Sequence, residues 1–438
     1  MAFKIIVIGA NAAGLSAAME AKRANPEYKI QVFDKSKYIS YGACALPYVL
    51  SGKIDNYKKI FARSAEHFTK NGIEVFTESE VTEIDLKNKT VIVNNQEYPW
   101  DKLVIATGSS SRKLPFQKEN YSNVFNFVSM EEALEVKNYI EKNNIKKVAV
   151  IGGGYIGIEL LDVLTSINIE VNLIEMFRIM TVFDEEMLEP IYSKIKNNNL
   201  IKLFENSKIE DFIKNNNKIT GIKMDNGETA ECEMVIVSAG VIPNTELAQK
   251  AGIALGKTGA IKVNTKMQTN NFNVFSGGDC AEIFNSVTGD FVWIPLGTNA
   301  NRAGKVIGRN LDVASEEVKI LGASMLKIFD IEMGAVGLSE TAAKKLNLNI
   351  ETKTAEFTLK PPFISSDRIL MKYVIDKFTR QLLGAQIVGD SEVHGKINSI
   401  AGLIYNKMKV TDIEKIDMGY HPLLSGVWDP IILMARKF

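Results

Sequence analysis

One cysteine in this sequence stands among residues that could set it up for chemistry. In the run Ser40-Tyr41-Gly42-Ala43-Cys44-Ala45-Leu46-Pro47-Tyr48, Pro47 suits the first turn of a helix, where a missing N–H costs nothing. A thiol at such a helix start is expected to feel the positive end of the peptide dipoles, which favours thiolate over thiol. The other two cysteines, Cys232 and Cys280, read as small buried hydrophobes. No second cysteine follows Cys44 at four or five residues, so it must cycle through a mixed disulfide, a persulfide or a sulfenic acid. Three cysteines make no disulfide framework and no zinc-type pair, so no metal is expected, and reduced thiols suit a cytoplasmic protein.

Two glycine-rich turns must position that thiol. Gly152-Gly153-Gly154-Tyr155-Ile156-Gly157 fits G-x-G-x-x-G between the apolar run KVAVI and a helical stretch, and the next strand, EVNLI, closes on Glu175. The first glycine makes the turn, the second admits a pyrophosphate, and the third lets helix and strand pack closely. The acid, about 20 residues on, accepts hydrogen bonds from a ribose. The same grammar opens the chain: KIIVI, then Gly9-Ala10-Asn11-Ala12-Ala13-Gly14, an Ala-rich helical stretch, and IQVF closing on Asp34. Asn11 stands where the second glycine belongs. The repeat implies two similar dinucleotide-binding units. Glu175 leans the second toward NADH, because a carboxylate repels the 2′-phosphate of NADPH, although Arg178 could offset it.

The remaining segments supply the frame. LVIATGS (residues 103–109) and MVIVSAGVIPNT (234–245) are parallel strand-to-turn passages that return the chain from one unit to the other, and NVFSGGDCAEI carries another strand. After about Gly322, LMKYVID and QLLGAQIVG alternate apolar with polar residues, the pattern of an antiparallel sheet with packed helices. The asparagines at 215–217 read as a hairpin turn. The fold class is therefore α/β, with two Rossmann-like dinucleotide-binding domains and a C-terminal α+β domain. Lys+Arg and Asp+Glu both total 52, which argues against nucleic acid or an anionic membrane as the main partner. No run of about 20 apolar residues could span a bilayer, and the opening residues read as fold rather than as a signal peptide.

With these features placed, the whole chain resembles the pyridine nucleotide–disulfide oxidoreductases. The branch is the one with a single active cysteine, which includes coenzyme A disulfide reductase, NADH oxidase, NADH peroxidase and persulfide reductases. The resemblance rests on the two turns, ATGS, GYIGIE, AGVIPNT, SGGDCAE and PLGTNANRAG. It implies FAD held by Gly9, Asn11, Ala12, Ala13, Gly14, Asp34, Lys35, Ala106, Thr107, Gly108 and Ala300, with Asp279 on the ribitol. It implies NADH or NADPH held by Gly152, Gly154, Tyr155, Ile156, Gly157, Glu159, Glu175 and Gly240. The implied architecture is an FAD domain over residues 1–115 and 246–321, an NAD(P) domain over 116–245, and a dimerisation domain over 322–438. A homodimer follows, each active site borrowing from its partner's C-terminal domain.

Within that branch, the peroxidases and water-forming oxidases place a histidine in the first turn, where this chain has Ala12. Ala-Leu-Pro-Tyr after Cys44 is similar to the coenzyme A disulfide and persulfide reductases. By the same resemblance Tyr420 is a catalytic phenol that protonates a leaving thiolate, and Ser40, Ala43, Arg23 and Asn301 touch coenzyme A. The sequence departs from the pattern after Tyr420, with His421-Pro422-Leu423 for Ala-Pro-Pro, and Phe363 stands near the place of a second tyrosine. No rhodanese segment follows VWDP. The implied function is NAD(P)H-driven reduction of coenzyme A disulfide or persulfide, a small-molecule substrate, through Cys44. The alternatives are an NADH oxidase and a non-enzymatic redox-sensing dimer.

Overall fold

The computed structural model describes residues 3–438. Two five-stranded parallel sheets share one build. In the first, Lys4–Ile8 is central, flanked by Lys29–Phe33 and Lys102–Ile105, with Ile73–Phe76 and Val274–Ser276 at the edges. In the second, Lys147–Ile151 is central, flanked by Glu170–Ile174 and Met234–Val237, with Ile201–Phe204 and Val124–Asn126 outside. Strands of such sheets are covered on both faces, which is why KIIVI and KVAVI are continuous apolar runs rather than alternating ones. Each glycine turn leaves the C-terminal end of a central strand and enters a helix, Ala12–Ala24 in one case and Tyr155–Ser166 in the other. Four small antiparallel sheets decorate the units, and the hairpin expected at residues 215–217 joins Ile209–Asn215 to Lys218–Met224, with Asn216 at φ +52°.

The helix Gly297–Asn310 crosses Ala12–Ala24 at very short range. A Cβ on Gly304 would stand 2.3 Å from the carbonyl oxygen of Ala13, and one on Gly308 would stand 2.5 Å from that of Ala17. Gly304, the last glycine of PLGTNANRAG, thus serves helix packing. Among the described residues no helix is long and apolar enough to cross a membrane.

The C-terminal body is a five-stranded antiparallel sheet in the order Ser324–Ile328, Ile331–Gly337, Leu382–Gly389, Arg368–Asp376, Ile350–Thr358, with the helix Val393–Tyr405 packed on it. The sheet and its helix were expected; the burial of its polar positions was not. Lys372 and Gln386 pair across adjacent strands and both are 1% exposed. They lie under the second unit. The Lys372 ammonium reaches Asp184 at 3.1 Å, Glu186 at 2.5 Å and Glu340 at 2.6 Å, and Gln386 both donates to the Asp184 carboxylate and accepts from its amide. Alternation therefore marks a face turned to another domain here, not to water.

Lys344 and Lys372 hold the Glu340 carboxyl down at about 2, below its ordinary 4.5. Lys372→Met removes the cation that the three acids share and is expected to cost about 3–5 kcal/mol at neutral pH, with half-exposed Glu186 contributing little of it. A depressed carboxylate stabilises the fold above its unfolded value, so the gap to wild type should close as pH falls from 4.5 toward about 2. Urea midpoints of both proteins across that range check both statements.

Candidate active site

The two glycine turns match in detail. Gly9 and Gly152 have φ +107° and +108°, a region closed to residues with a Cβ. A strand end presses on each: a Cβ on Gly9 would lie 2.1 Å from the Ala106 carbonyl oxygen, and one on Gly152 would lie 2.6 Å from that of Ser238. A Cβ on Gly14 or Gly157 would strike the carbonyl of its own first glycine at 1.9 or 1.8 Å. The middle position differs. Gly154 has ordinary extended dihedrals, φ −78° and ψ −167°, with open space around its Cα, and Asn11 adopts the same class of conformation, φ −120° and ψ −150°. The chain itself does not need glycine there, which explains how Asn11 leaves the first turn intact.

The acids after the second strands are also twins. Asp34 accepts from the amides of Ala10 and Ser36 at 2.6 and 2.8 Å; Glu175 accepts from those of Gly153 and Phe177 at 2.7 and 2.9 Å. Each oxygen keeps a lone pair for a ribose hydroxyl. Open helix starts, fixed acceptors and small residues (Ala13 and Ala300 beside Gly278) fit two dinucleotides. Lys35 lies exposed just beyond Asp34.

Ser40, at φ +54°, donates its amide to the Ala10 carbonyl at 3.0 Å and so ties the cysteine segment to the first turn. Leu46, Val49 and Leu50 bury instead in the core of the second unit. Lys137 there donates to the Val49 carbonyl at 3.0 Å, and the Met130 amide donates to the Tyr41 hydroxyl at 3.4 Å. Cys44 sits between the units and is exposed; Cys232 and Cys280 are buried.

The helix-dipole expectation for Cys44 fails. The helix Leu46–Leu50 is a single turn and Cys44 precedes it, in the 3-10 turn Ala43–Ala45. Though solvent reaches the residue, crowding protein desolvates its sulfur and pushes the thiol up, and the charges of Glu159 and Asp279 push it further. Glu159 is itself raised to about 7, by burial and then by Asp162. Burial also raises Asp279, against a 3.3 Å hydrogen bond from Ser109. The fold thus gathers Cys44, Glu159 and Asp279 from three distant stretches of sequence. Tyr155 crosses to the C-terminal body, its hydroxyl 2.7 Å from that of Ser324, and Ile156 follows it half-buried.

Asn244 was not singled out from sequence. Its side chain donates to the Thr107 carbonyl and accepts from Ser110, and its own carbonyl accepts from the Thr107 hydroxyl. ATGS and AGVIPNT are therefore two halves of one clasp where the chain crosses between units, with Gly108 and Gly240 at φ +69° and +90°. The one asparagine in the second strand-to-turn passage, MVIVSAGVIPNT, was the available signal.

Other expected residues are engaged elsewhere. Arg23 pairs with Glu20 at 3.0 Å, and Glu20 also pairs with Arg309 at 2.7 Å. The Asn301 side chain accepts from Ser16 and donates to the Gly297 carbonyl. Tyr420 is 50% exposed beside the exposed Leu423, Leu424, Val427 and Trp428, and its hydroxyl has no hydrogen bond among the described residues. A cavity of about 220 Å³ lies away from Cys44, between Thr181 and Val182 of the second unit and Ser339, Lys345 and Gln386 of the C-terminal body.

Residues 3–304 match the family described as pyridine nucleotide-disulphide oxidoreductase, and residues 319–430 match its dimerisation domain. The chain belongs to this family. As a pyridine nucleotide-disulphide oxidoreductase it is an enzyme that uses FAD and NAD(P)H. It is 34% identical to the NAD(P)H coenzyme A polysulfide/persulfide reductase of Pyrococcus horikoshii, over 99% of this chain and 98% of that protein. It is 32% identical to an NADH oxidase of Methanocaldococcus jannaschii, over 99% and 98%. Among solved structures it is similar to a NAD-dependent persulfide reductase from A. fulgidus, with a TM-score of 0.94 and 31% identity over 99% of this chain and 82% of that one.

Removing the Glu159 charge should ease ionisation of Cys44. In Glu159→Gln the pH profile of Cys44 alkylation by iodoacetamide is expected to move to lower pH than in wild type; an unmoved profile would show that the two groups are not coupled.

Proposed function

We propose that this oxidoreductase reduces coenzyme A disulfide or coenzyme A persulfide with NAD(P)H, through the single thiol Cys44. The observation that carries the reading is the setting of Cys44: the exposed thiol of the three, at the junction of both nucleotide units, with carboxylates and no histidine acting on it. A sulfenate-based peroxide chemistry would want a polar partner at Ala12, and the methyl group there offers none. The relative from P. horikoshii, named for coenzyme A persulfide, supports the same substrate class.

In this reading residues 1–115 and 246–321 hold FAD through the first turn, Asp34 and Asp279, while residues 116–245 hold the nicotinamide nucleotide through the second turn and Glu175. The chemistry the bound flavin supplies is two-electron transfer from nicotinamide to sulfur. Cys44, as thiolate, attacks one sulfur of the substrate disulfide and expels the first coenzyme A thiolate, which a phenol protonates. We assign that phenol to Tyr420 of the partner subunit, because Tyr420, with no hydrogen bond to its hydroxyl among the described residues, lies in a C-terminal stretch whose apolar Leu423, Leu424, Val427 and Trp428 are also exposed. Two electrons then cleave the Cys44–sulfur bond, releasing the second thiol and restoring the thiolate. Ser40 and Ala43, flanking the cysteine, border the thiol end of the substrate. The protein acts as a homodimer in the cytoplasm, where thiols stay reduced.

The NADH oxidase reading is favoured by the M. jannaschii relative, and one pair of assays separates the two. Cys44→Ser is expected to keep flavin reduction by NAD(P)H while losing at least about 1,000-fold in turnover of coenzyme A disulfide or persulfide. An oxygen electrode that finds NADH-driven oxygen uptake faster than thiol release in the wild type would defeat the reductase assignment. The mass of the denatured, unreduced protein is expected to carry a coenzyme A adduct on Cys44.

A further inference from the structure

We propose that Glu159 is the proton donor for the thiol that leaves Cys44, and that Asp162, one helical turn further on, is the positioning residue that keeps this proton available. This rests on Cys44 being the thiol that carries the substrate sulfur, as proposed above.

The helix Tyr155–Ser166 is packed into the second unit, with Ile158, Leu160, Leu161, Val163 and Leu164 buried. Tyr155, Glu159 and Asp162 interrupt that apolar surface at spacings of four and three, which places them on one face. The cysteine segment lies against this helix. Its Tyr48, half-buried one turn beyond Cys44, has the Lys53 ammonium 5.3 Å over its ring. Burial pushes the Tyr48 phenol up, and the charges of Glu159, Asp162 and Cys44 push it further. Glu159 is thus faced by Cys44 and Tyr48 from the cysteine segment, and by Tyr155 and Asp162 from its own helix. No cation among the described residues acts on it. Lys53 and Asp330 act instead on Asp162, in opposite directions.

Asp34, Glu175 and Asp184 each accept backbone amides. The Glu159 carboxyl has no hydrogen bond among the described residues. A desolvated carboxyl without donors holds its proton more readily, and the Asp162 charge acts in the same direction. Asp162 is fixed in turn. It accepts from the amide of Phe329, which stands at φ +53° in the turn between Ser324–Ile328 and Ile331–Gly337. The C-terminal body therefore holds the aspartate that tunes a glutamate facing the thiol.

The chemistry at Cys44 calls for such a proton. Two electrons from NAD(P)H break the bond between Cys44 and the substrate sulfur and leave two thiolates. One is Cys44 itself. The other departs as a free thiol once it takes a proton, and the acid best suited to give one exchanges near neutrality. Glu159, raised to about 7, meets that condition, whereas Tyr48 is pushed away from it. No hydrogen bond ties Glu159 to Cys44, so its proton is not committed to the cysteine. The carboxylate left behind regains a proton from solvent, which reaches Cys44.

The test loads Cys44 of the flavin-containing protein with coenzyme A or with 5-thio-2-nitrobenzoate as a mixed disulfide. NADH then reduces each adduct in a single anaerobic turnover. An aliphatic thiol needs a proton to leave, whereas an aromatic thiolate, with its lower pKa, leaves without one. At neutral pH Glu159→Gln is expected to slow coenzyme A release about 100-fold and nitrothiobenzoate release about threefold or less. Wild-type release of coenzyme A should fall as pH rises through about 7, because the acid form of Glu159 is the one that works. Asp162→Asn removes the charge that holds this midpoint up, so its profile should move to lower pH. Equal slowing of both leaving groups in Glu159→Gln, a wild-type profile without the fall, or an unmoved midpoint in Asp162→Asn would each overturn the proposal. The wild-type and Asp162→Asn profiles decide it should Glu159→Gln fail to retain flavin. A wild type that releases nitrothiobenzoate but never coenzyme A would instead sink the coenzyme A reading of the substrate.

Discussion

Burial of Leu46, Val49 and Leu50 in the core of the second unit is the contact on which the rest of the arrangement depends. The cysteine segment leaves the first sheet, is pinned by Ser40 to the first glycine turn, and then spends its apolar face on a different domain. Those three side chains leave little freedom for the two nucleotide units to move past one another without opening a cavity. The same core takes in Leu326, Ile328, Ile331 and Met333 of the C-terminal body, so Cys44 stands at the junction of all three parts. The clasp through Asn244 and the ion cluster on Lys372 close the other sides of that junction.

The electrostatics of the junction are one-sided. Glu159 and Asp279 both act on Cys44, and no cation among the described residues offsets them. With the Glu159 carboxyl raised to about 7, its charge rises as pH passes through neutrality, so the thiol is opposed more strongly on the alkaline side. Burial raises Asp34, Glu159 and Asp279 alike, and Asp34, like Glu175, is also held by backbone amides.

How much was legible varies residue by residue. Gly9, Gly14, Gly152 and Gly157 announced themselves because a positive φ or a carbonyl within about 2 Å of the missing Cβ admits no other residue. Asn11 looked like a defect only because the motif is usually written with a glycine there; its backbone is extended, so the turn survives. Arg178, Arg23 and Asn301 could be located on the right elements, but what they bond to could not be read. Their partners are a carbonyl five residues on, a carboxylate one helical turn back, and a serine on another helix. Lys372 and Gln386 were read as the polar side of an alternating strand and lie instead beneath a neighbouring domain.

By itself the sequence determined the two dinucleotide units, the antiparallel C-terminal sheet and the identity of the exposed thiol, because each depends on local periodicity, on glycine stereochemistry or on a motif a few residues long. The tertiary structure decided the protonation tendency of that thiol. Residues 44, 159 and 279 meet only after three separate stretches pack together, and the field at a sulfur is set by distance and burial, which no spacing along the chain encodes.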